Sequence, residues 1–215
     1  MLTPDKVFKN KGGIMNHYRN DEDSQEEIIT KKDMFSEEYY YKILNKNRYI
    51  LLYDEINNCS SELVCSKLKA MDYLDNKKPI TLEINSPGGF VTYGFSIIDT
   101  IAIIEAPVYT IITGEACSMA AMISIVGKKR FITTNGFWMQ HSTQDLLQGN
   151  VQNIKDQAGY LLKLEKHMNE ILKKNTKLNQ RQLTQIRNGQ LWLFATEALK
   201  YGVVDKILEP RNIKK

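Results

Sequence analysis

The stretch of sequence that decides the fold, residues 84–121, reads INSPGGFVTYGFSIIDTIAIIEAPVYTIITGEACSMAA. It begins with the motif NSPGG at 85–89 and ends with the motif GEACSMAA at 114–121. At both motifs an apolar run rich in β-branched residues ends and a helical pattern begins. Backbone N–H groups in the first turn of a helix have no intrahelical acceptor. The sequence therefore places a serine beside unpaired hydrogen-bond donors at two strand-to-helix junctions.

Apolar runs and helical stripes alternate on both sides of this stretch. Strands are predicted at 48–56, 79–84, 108–113, 130–133, 137–139, 191–194 and 203–208. Helices are predicted from Ser60 or Ser61 to about 76, and at 90–104, 118–126, 151–175, 178–186 and, capped by Thr196, 197–201. The alternation predicts an α/β domain with mostly parallel strands. The helix at 118–126 is too apolar for a protein surface, so we expect it to be buried.

The helix predicted at 151–175 is much longer than the average helix of about 11 residues. At 1.5 Å per residue it spans roughly 37 Å. A helix of this length can protrude from a small domain and pack against another subunit. The alternative is a long helix that lies over its own sheet.

The chain has 215 residues, of which 42% are hydrophobic and 25% charged, as expected for one globular domain. Residues 1–36 are charged and lack periodicity, which predicts a mobile arm or processed leader before a domain at 37–210. No apolar run approaches the ~18 residues of a membrane span, and no signal-peptide core is recognisable. We therefore expect a cytoplasmic protein that binds no membrane.

Charge and cysteine content narrow the classes of partner and ligand further. The net charge of +4 comes from 29 basic and 25 acidic residues that are mixed along the chain, which does not indicate nucleic-acid binding. Cys59, Cys65 and Cys117 are odd in number and lack metal-ligand spacing, which is typical of reduced thiols. No metal site is predicted.

Ser118 and His141 are the candidates for a serine nucleophile and its base. Ser118 opens an apolar helix between small residues, and His141 follows a strand that should lie beside the preceding one. The other histidines fall in the predicted arm, His17, and midway along the long helix, His167. From the residues alone, a helix-capping serine and an ordinary strand-end histidine remain open alternatives.

Several motifs together resemble, in order and spacing, the proteolytic subunit of the Clp protease. They are INSPGG at 84–89, DT at 99–100, ACSMAA at 116–121, KKRF at 128–131, MQH at 139–141 and ATEALKYGVVD at 195–205. The resemblance extends from about Tyr41 to Leu208. It implies a crotonase-like spiral of βαβ units whose long helix at about 151–175 protrudes as a handle. It also implies two stacked heptameric rings around a proteolytic chamber that receives unfolded polypeptides.

The resemblance also implies roles for individual residues. Ser118 would be the nucleophile and His141 the base, with the oxyanion held by the N–H groups of Gly89 and Met119. An extended substrate would pair as an added strand along Gly88, Phe90 and Val91, which suits broad specificity. No cofactor is implied in this subunit, since ATP is used only by a partner unfoldase.

The third catalytic position departs from the family pattern. The family has an aspartate where alignment back from Tyr201 places Gln190. A glutamine carries no negative charge, and its amide can favour the wrong imidazole tautomer; in a chymotrypsin-type triad, replacing the aspartate by asparagine costs about 10⁴ in rate. We therefore expect a slow or conditionally active peptidase, with Asp145 or Asp156 as other candidates for orienting His141.

The surface that docks the ATPase in this family also departs from the family pattern here. The family has aromatic residues on the strand before the serine–proline–glycine motif, where they help to dock the ATPase, and here the positions are Thr81 and Glu83. A carboxylate in an apolar pocket is costly, which puts docking of the usual ATPase in question. Apolar material nearby is supplied by Phe95, Tyr109 and Phe131.

Three functions are therefore in competition. The first is a Clp-type serine endopeptidase. The second is a catalytically impaired relative that keeps a structural or regulatory role in the ring assembly. The third, an acyl-coenzyme-A enzyme of the wider crotonase fold, is disfavoured by the combination of Ser118 and His141.

Overall fold

The computed structural model describes residues 36–144 and 146–210, and the chain forms two compact units that divide after Tyr49. In the first unit, helix α1 (Glu37–Lys46) is capped by Ser36, whose hydroxyl accepts a hydrogen bond from the Tyr39 N–H at 3.2 Å. The arm predicted at 1–36 lies outside the described residues except for Ser36. The predicted domain boundaries therefore stay a prediction.

From Tyr49 onward, strands and helices alternate, as expected. The elements are β1 (Tyr49–Leu52), α2 (Asn58–Leu74), β2 (Ile80–Ser86), α3 (Val91–Ile103), β3 (Val108–Cys117), α4 (Met119–Ser124), β4 (Lys129–Thr133), β5 (Phe137–His141), α5 (Val151–Asn175), α6 (Gln180–Asn188), β6 (Gln190–Phe194), α7 (Ala195–Lys200) and β7 (Lys206–Leu208). The mixed α/β class predicted from the sequence is confirmed.

The ten residues of β3 organise the sheet. Along one edge β3 pairs with β2, and along the other it pairs first with β4, through 109–112, and then with β5, through 115–117. These pairings are parallel, as is that of β4 with β7, whereas β5 and β6 are antiparallel. Because parallel strands end at the same edge, the carboxyl ends of β2, β3 and β5 lie together.

Helix α4 is buried, as predicted, because all six of its residues are inaccessible to solvent. The indole of the fully buried Trp138 on β5 donates a hydrogen bond to the Ala121 carbonyl at 3.2 Å, which fixes α4 against the sheet. This contact holds the residues that begin the helix in place.

Two predicted helix caps were wrong. Helix α2 is capped by Asn57, whose side chain accepts from the Ser60 N–H at 3.1 Å while the Ser60 hydroxyl accepts from the Asn57 N–H at 3.0 Å. Helix α7 begins one residue before the predicted cap, Thr196, and Glu197 accepts a hydrogen bond from the Phe194 N–H at 3.2 Å. In both cases a side chain three residues into the helix accepts a hydrogen bond from the N-cap N–H, and the helix starts further towards the N-terminus than predicted. In α2 the N-cap side chain returns the bond, whereas Phe194 has no polar side chain to do so.

Helix α5 has the bounds predicted from the sequence. Residues 151–156 are all exposed, and the buried residues, Met168 and Leu172, lie in its second half. The second half therefore packs on the domain, and contact of the first half with another subunit stays a prediction.

The last strand is tied to the sheet by Arg130 and Asp205. The Arg130 guanidinium donates to both carboxylate oxygens of Asp205, at 3.2 and 2.5 Å, and to the Gly202 carbonyl at 2.9 Å. Partial burial acts to raise the pKa of Asp205, but the hydrogen bonds and charge of Arg130 outweigh it, so the pKa lies below its usual range. A pKa lowered by folding stabilises the native state above the unfolded-state pKa of about 3.9.

We expect Asp205→Asn to lower the free energy of unfolding by about 1 kcal/mol at pH 7, a modest value because the side chain is 45% exposed. The difference from the native chain should shrink below about pH 5, as the native carboxylate becomes protonated. Urea unfolding over a pH series measures it, with Asp99→Asn on the exposed surface of α3 as the control. A difference that persists undiminished at pH 3 would contradict this role.

Candidate active site

The two small-residue motifs meet at the edge where β2 and β3 end. A Cβ atom built on Gly88 would lie 2.6 Å from the Cys117 carbonyl oxygen and 2.8 Å from the Cβ of Ser118. Gly88 also has a φ of +96°, in the region that favours glycine. Both the close approach of Cys117 and Ser118 and the positive φ therefore require glycine at this position.

Ser86 holds the turn that carries Gly88. Its side chain is fully buried, donates a hydrogen bond to the Asp54 carbonyl at 2.6 Å and accepts one from the Gly88 N–H at 3.2 Å. Ser86 is one of the two serines that the sequence places at strand-to-helix junctions, but no role was predicted for it. Its partners show that it shapes the turn rather than offering a nucleophile.

The backbone at 88–90 pairs with Ile56. The Gly88 carbonyl accepts from the Ile56 N–H at 2.7 Å, and the Phe90 N–H donates to the Ile56 carbonyl at 2.8 Å. These groups of Gly88 and Phe90, predicted to bind substrate, are thus engaged within the chain, and Val91 already begins α3. In an extended segment successive backbone groups point to opposite sides, so the N–H of Gly89 faces away from Ile56.

Ser118 is held in a strained conformation between β3 and α4. Its φ is +53°, which is rare for residues other than glycine and costs of order 1–3 kcal/mol. The Ser118 N–H donates to the Met139 carbonyl at 2.8 Å, which ties this junction to β5. Ser118 occupies the N-cap position, but its hydroxyl makes no capping hydrogen bond. Strain of this kind is concentrated at functional sites.

Met119, the predicted second oxyanion donor, is the first residue of α4, so its N–H has no intrahelical acceptor. A Cβ atom on Gly88 would lie 3.0 Å from this nitrogen. The Met119 side chain packs closely on Gly94 of α3, which fixes the residue. The Met119 amide is therefore brought beside the glycine pair.

Cys117 is not a competing nucleophile. Burial raises the pKa of its thiol to about 12, helped by the hydrogen bond to Glu115 and the charge of that carboxylate. The thiol donates to the Glu115 Oε2 at 3.4 Å. At neutral pH the group is protonated, and a thiol is a far weaker nucleophile than a thiolate.

His141 ends β5, and its imidazole is oriented by the backbone. Its Nδ1 lies 2.6 Å from the Ser142 carbonyl oxygen. A carbonyl oxygen can only accept, so this contact places the hydrogen on Nδ1 and leaves Nε2 as an acceptor. That is the tautomer a general base requires. Sequence reasoning missed this contact because a backbone carbonyl carries no sequence signal.

The strand register brings Ser118 and His141 to the same edge of the sheet. Cys117 pairs with Met139, and the Ser118 N–H binds the Met139 carbonyl, two residues before His141, or about 6.6 Å along a strand. Within residues 36–144 and 146–210, however, the Ser118 hydroxyl and the His141 imidazole have no mutual hydrogen bond. The arrangement brings the groups together without completing the catalytic contact.

Gln190 lies opposite His141 in the pairing of β5 with β6. Its side-chain oxygen accepts from the Trp192 indole at 3.0 Å, and within the described residues no hydrogen bond joins the Gln190 side chain to the imidazole. Of the two other carboxylates considered for orienting His141, Asp145 lies outside the described residues. Asp156 is exposed on α5, where it accepts from the Gln152 amide at 2.9 Å.

No group of three or more histidine, cysteine, aspartate or glutamate residues at 36–144 and 146–210 is placed to hold a metal ion. Over the same residues, no helix is both long enough and apolar enough to cross a membrane.

The chain matches the model of a known protein family. The family model described as Clp protease matches residues 31–211, which is most of the chain and includes the small-residue motifs, β5 with His141 and helix α5.

We expect Gly88→Ala to destabilise the chain by at least about 2 kcal/mol, because its Cβ would collide with backbone in a conformation that alanine avoids. The matched control is Gly159→Ala on α5, where a Cβ meets nothing within 4 Å. That control should gain up to about 1 kcal/mol from helix propensity. Chemical unfolding measures both, and a Gly88→Ala variant as stable as the native chain would contradict the close approach of the motifs.

Proposed function

The chain belongs to the Clp protease family, and we propose that it is a serine endopeptidase subunit that degrades unfolded polypeptides within a chamber formed by several copies. The observation that carries the proposal is Ser118. Its strained backbone abuts Gly88, its hydroxyl is not used as a cap, and the Met119 N–H lies beside it. A structural serine would not need this combination.

In the proposed reaction, the Ser118 Oγ attacks the carbonyl carbon of the scissile peptide bond as His141 Nε2 takes the hydroxyl proton. The developing oxyanion accepts hydrogen bonds from the N–H groups of Gly89 and Met119. His141 then protonates the leaving amine, and a water activated by the same imidazole hydrolyses the acyl-enzyme. Substrate would pair with the edge of the 88–90 backbone that carries the N–H and carbonyl groups of Gly89, since the opposite edge is paired with Ile56.

We expect this reaction to be slow. Ser118 and His141 must approach each other before the proton can move, and Gln190 supplies no charge to stabilise the imidazolium. The Ser142 carbonyl keeps the correct tautomer, so one of the two tasks of a triad aspartate is still performed. The task that Gln190 cannot perform is the stabilisation of positive charge on the base.

The exposed half of α5 supports assembly with other copies of the chain. Val151, Ile154, Tyr160 and Leu162 expose between 38% and 71% of their surface on this helix. Apolar side chains displayed along a helix are typical of surfaces that are covered by a partner. We propose that α5 packs against a facing ring, as the handle does in this family, and that ATP is used only by a separate unfoldase.

A catalytically impaired structural subunit is the second candidate. Two observations favour it: the Gln190 side-chain oxygen is bonded to Trp192, and in the described chain Ser118 and His141 share no hydrogen bond. The two candidates differ in whether Ser118 is activated. Covalent labelling of Ser118 by a fluorophosphonate separates them, because the reagent modifies only an activated serine.

On the surface expected to dock the ATPase, the Glu83 carboxylate lies in a more polar environment than the apolar pocket expected from the sequence. The Glu83 carboxylate accepts hydrogen bonds from the Thr113 hydroxyl, at 2.9 Å, and from the Tyr53 hydroxyl. These donors offset the cost of placing a carboxylate there. Thr81 is buried, so it adds little to the surface. We propose that a Clp-family ATPase docks weakly, because a charge replaces an aromatic contact.

We expect Gln190→Asp to hydrolyse a fluorogenic peptide at least tenfold faster than the native chain, because the carboxylate stabilises the His141 imidazolium. Gln180→Asp adds the same charge to the exposed start of α6 and should have no effect. Ser118→Ala should abolish turnover. A Gln190→Asp variant that is no faster than the native chain would remove the argument that the missing charge limits the rate.

For the partner, we expect Glu83→Tyr to strengthen capture of a Clp-family ATPase, because an aromatic ring replaces a charge at the docking surface. Thr113→Val is the control, since it removes one hydrogen bond of Glu83 without adding a ring. Co-purification over a range of ATPase concentrations measures the affinity. Tight binding that is equal in the native and Glu83→Tyr chains would show that this position takes no part in docking.

A further inference from the structure

A small pocket lies beside His141, on the side where the strand meets helix α5. It has a volume of about 10 Å³ and is lined by Gln140, His141, Thr143, Glu165 and Met168, among others. This is room for at most one water molecule. Among the residues that the structure describes, Glu165 is the acidic one that lines this pocket, and it is contributed by α5.

Two oxygen atoms of these lining residues are buried with no donor in the described chain: Oε1 of Gln140 and Oε1 of Glu165. Gln140 is 2% exposed, and its amide nitrogen donates to the His141 carbonyl at 3.3 Å. Buried acceptors without donors are rare, and each lowers the stability of the fold, a charged group more than a neutral one. A carboxylate in this state destabilises the resting fold unless a positive group forms nearby.

A positive group does form nearby during the proposed reaction. When His141 takes the Ser118 proton, the imidazole becomes an imidazolium next to the pocket that Glu165 lines. An interaction that is absent in the resting state and present in the transition state raises the rate without tightening substrate binding. His141 and Glu165 are both partly buried, and partial exclusion of water strengthens attraction between opposite charges.

We propose that Glu165 is a positioning residue of the peptidase, whose half-buried carboxylate stabilises the imidazolium of His141 in place of the charge that Gln190 lacks. This inference rests on the proposed function. The negative charge thus reaches the base from helix α5, while the Ser142 carbonyl fixes the tautomer. The two tasks of a triad aspartate are divided between a helix side chain and a backbone carbonyl.

The test is the second-order rate constant for fluorophosphonate labelling of Ser118. We expect Glu165→Gln, which keeps the shape and removes the charge, to lower it about tenfold, equivalent to roughly 1.4 kcal/mol in the barrier. Glu170→Gln removes the same charge from an exposed position of α5 and should leave the rate unchanged. The thermal midpoint of Glu165→Gln should stay equal or rise, because an unpaired buried charge has been removed.

Gln190→Asp provides the second arm, because it restores a charge to His141 from β6. In that background, Glu165→Gln should cost less than threefold, since two charges that serve one imidazolium are not additive. Equal labelling of the native and Glu165→Gln chains would overturn the inference alone. So would a loss that accompanies a lower thermal midpoint and is not relieved by Gln190→Asp, since that is a structural effect. A native chain that is not labelled at Ser118 would instead overturn the proposed function, and the inference with it.

Discussion

The structure depends on the close approach of two backbones, at Gly88 and at Cys117–Ser118. A single Cβ on Gly88 would come within 2.8 Å of both neighbours, so the approach exists only because the side chain there is a hydrogen atom. The Ser86 hydroxyl fixes the turn before Gly88 by donating to the Asp54 carbonyl, and the Met139 carbonyl accepts a hydrogen bond from the Ser118 N–H. The strained φ of Ser118 persists because these contacts over-determine its backbone.

A second constraint is the length of β3. Because it pairs successively with β4 and β5 along one edge, its last residues lie beside a strand that ends at His141. Strand β3 therefore ends directly before Ser118, and the strand paired with its last residues, β5, ends at His141. The buried helix α4, anchored by Trp138, then begins where the serine ends. Serine, histidine and unpaired N–H groups meet because of pairing register rather than proximity in sequence.

The substitution at Gln190 changes how charge is distributed around His141. The imidazole still has an acceptor for Nδ1–H, since the Ser142 carbonyl lies 2.6 Å away. An uncharged acceptor fixes the tautomer, but it stabilises an imidazolium less than a carboxylate does. Glu165 on α5 is the acidic residue that lines the pocket beside this imidazole. If α5 also contacts a facing ring, assembly and the electrostatics of the base depend on the same helix.

The sequence alone did not predict helix α1, but it determined the order and type of the elements from β1 onward and the bounds of α5, because hydrophobic periodicity is local information. It also determined that glycine motifs flank Ser118, and the family resemblance pointed to His141 and Gln190. Errors were local as well: the caps of α2 and α7 were misplaced because a side chain three residues into each helix accepts from the N–H of an earlier residue than the predicted cap. Only the tertiary structure decided that Gly88 and Phe90 are engaged by Ile56, that Gln190 turns to Trp192, and that Glu165 reaches the pocket of His141. These facts depend on backbone groups and on side chains far apart in sequence, whose positions are set by packing and strand register, and neither is encoded at any single position of the chain.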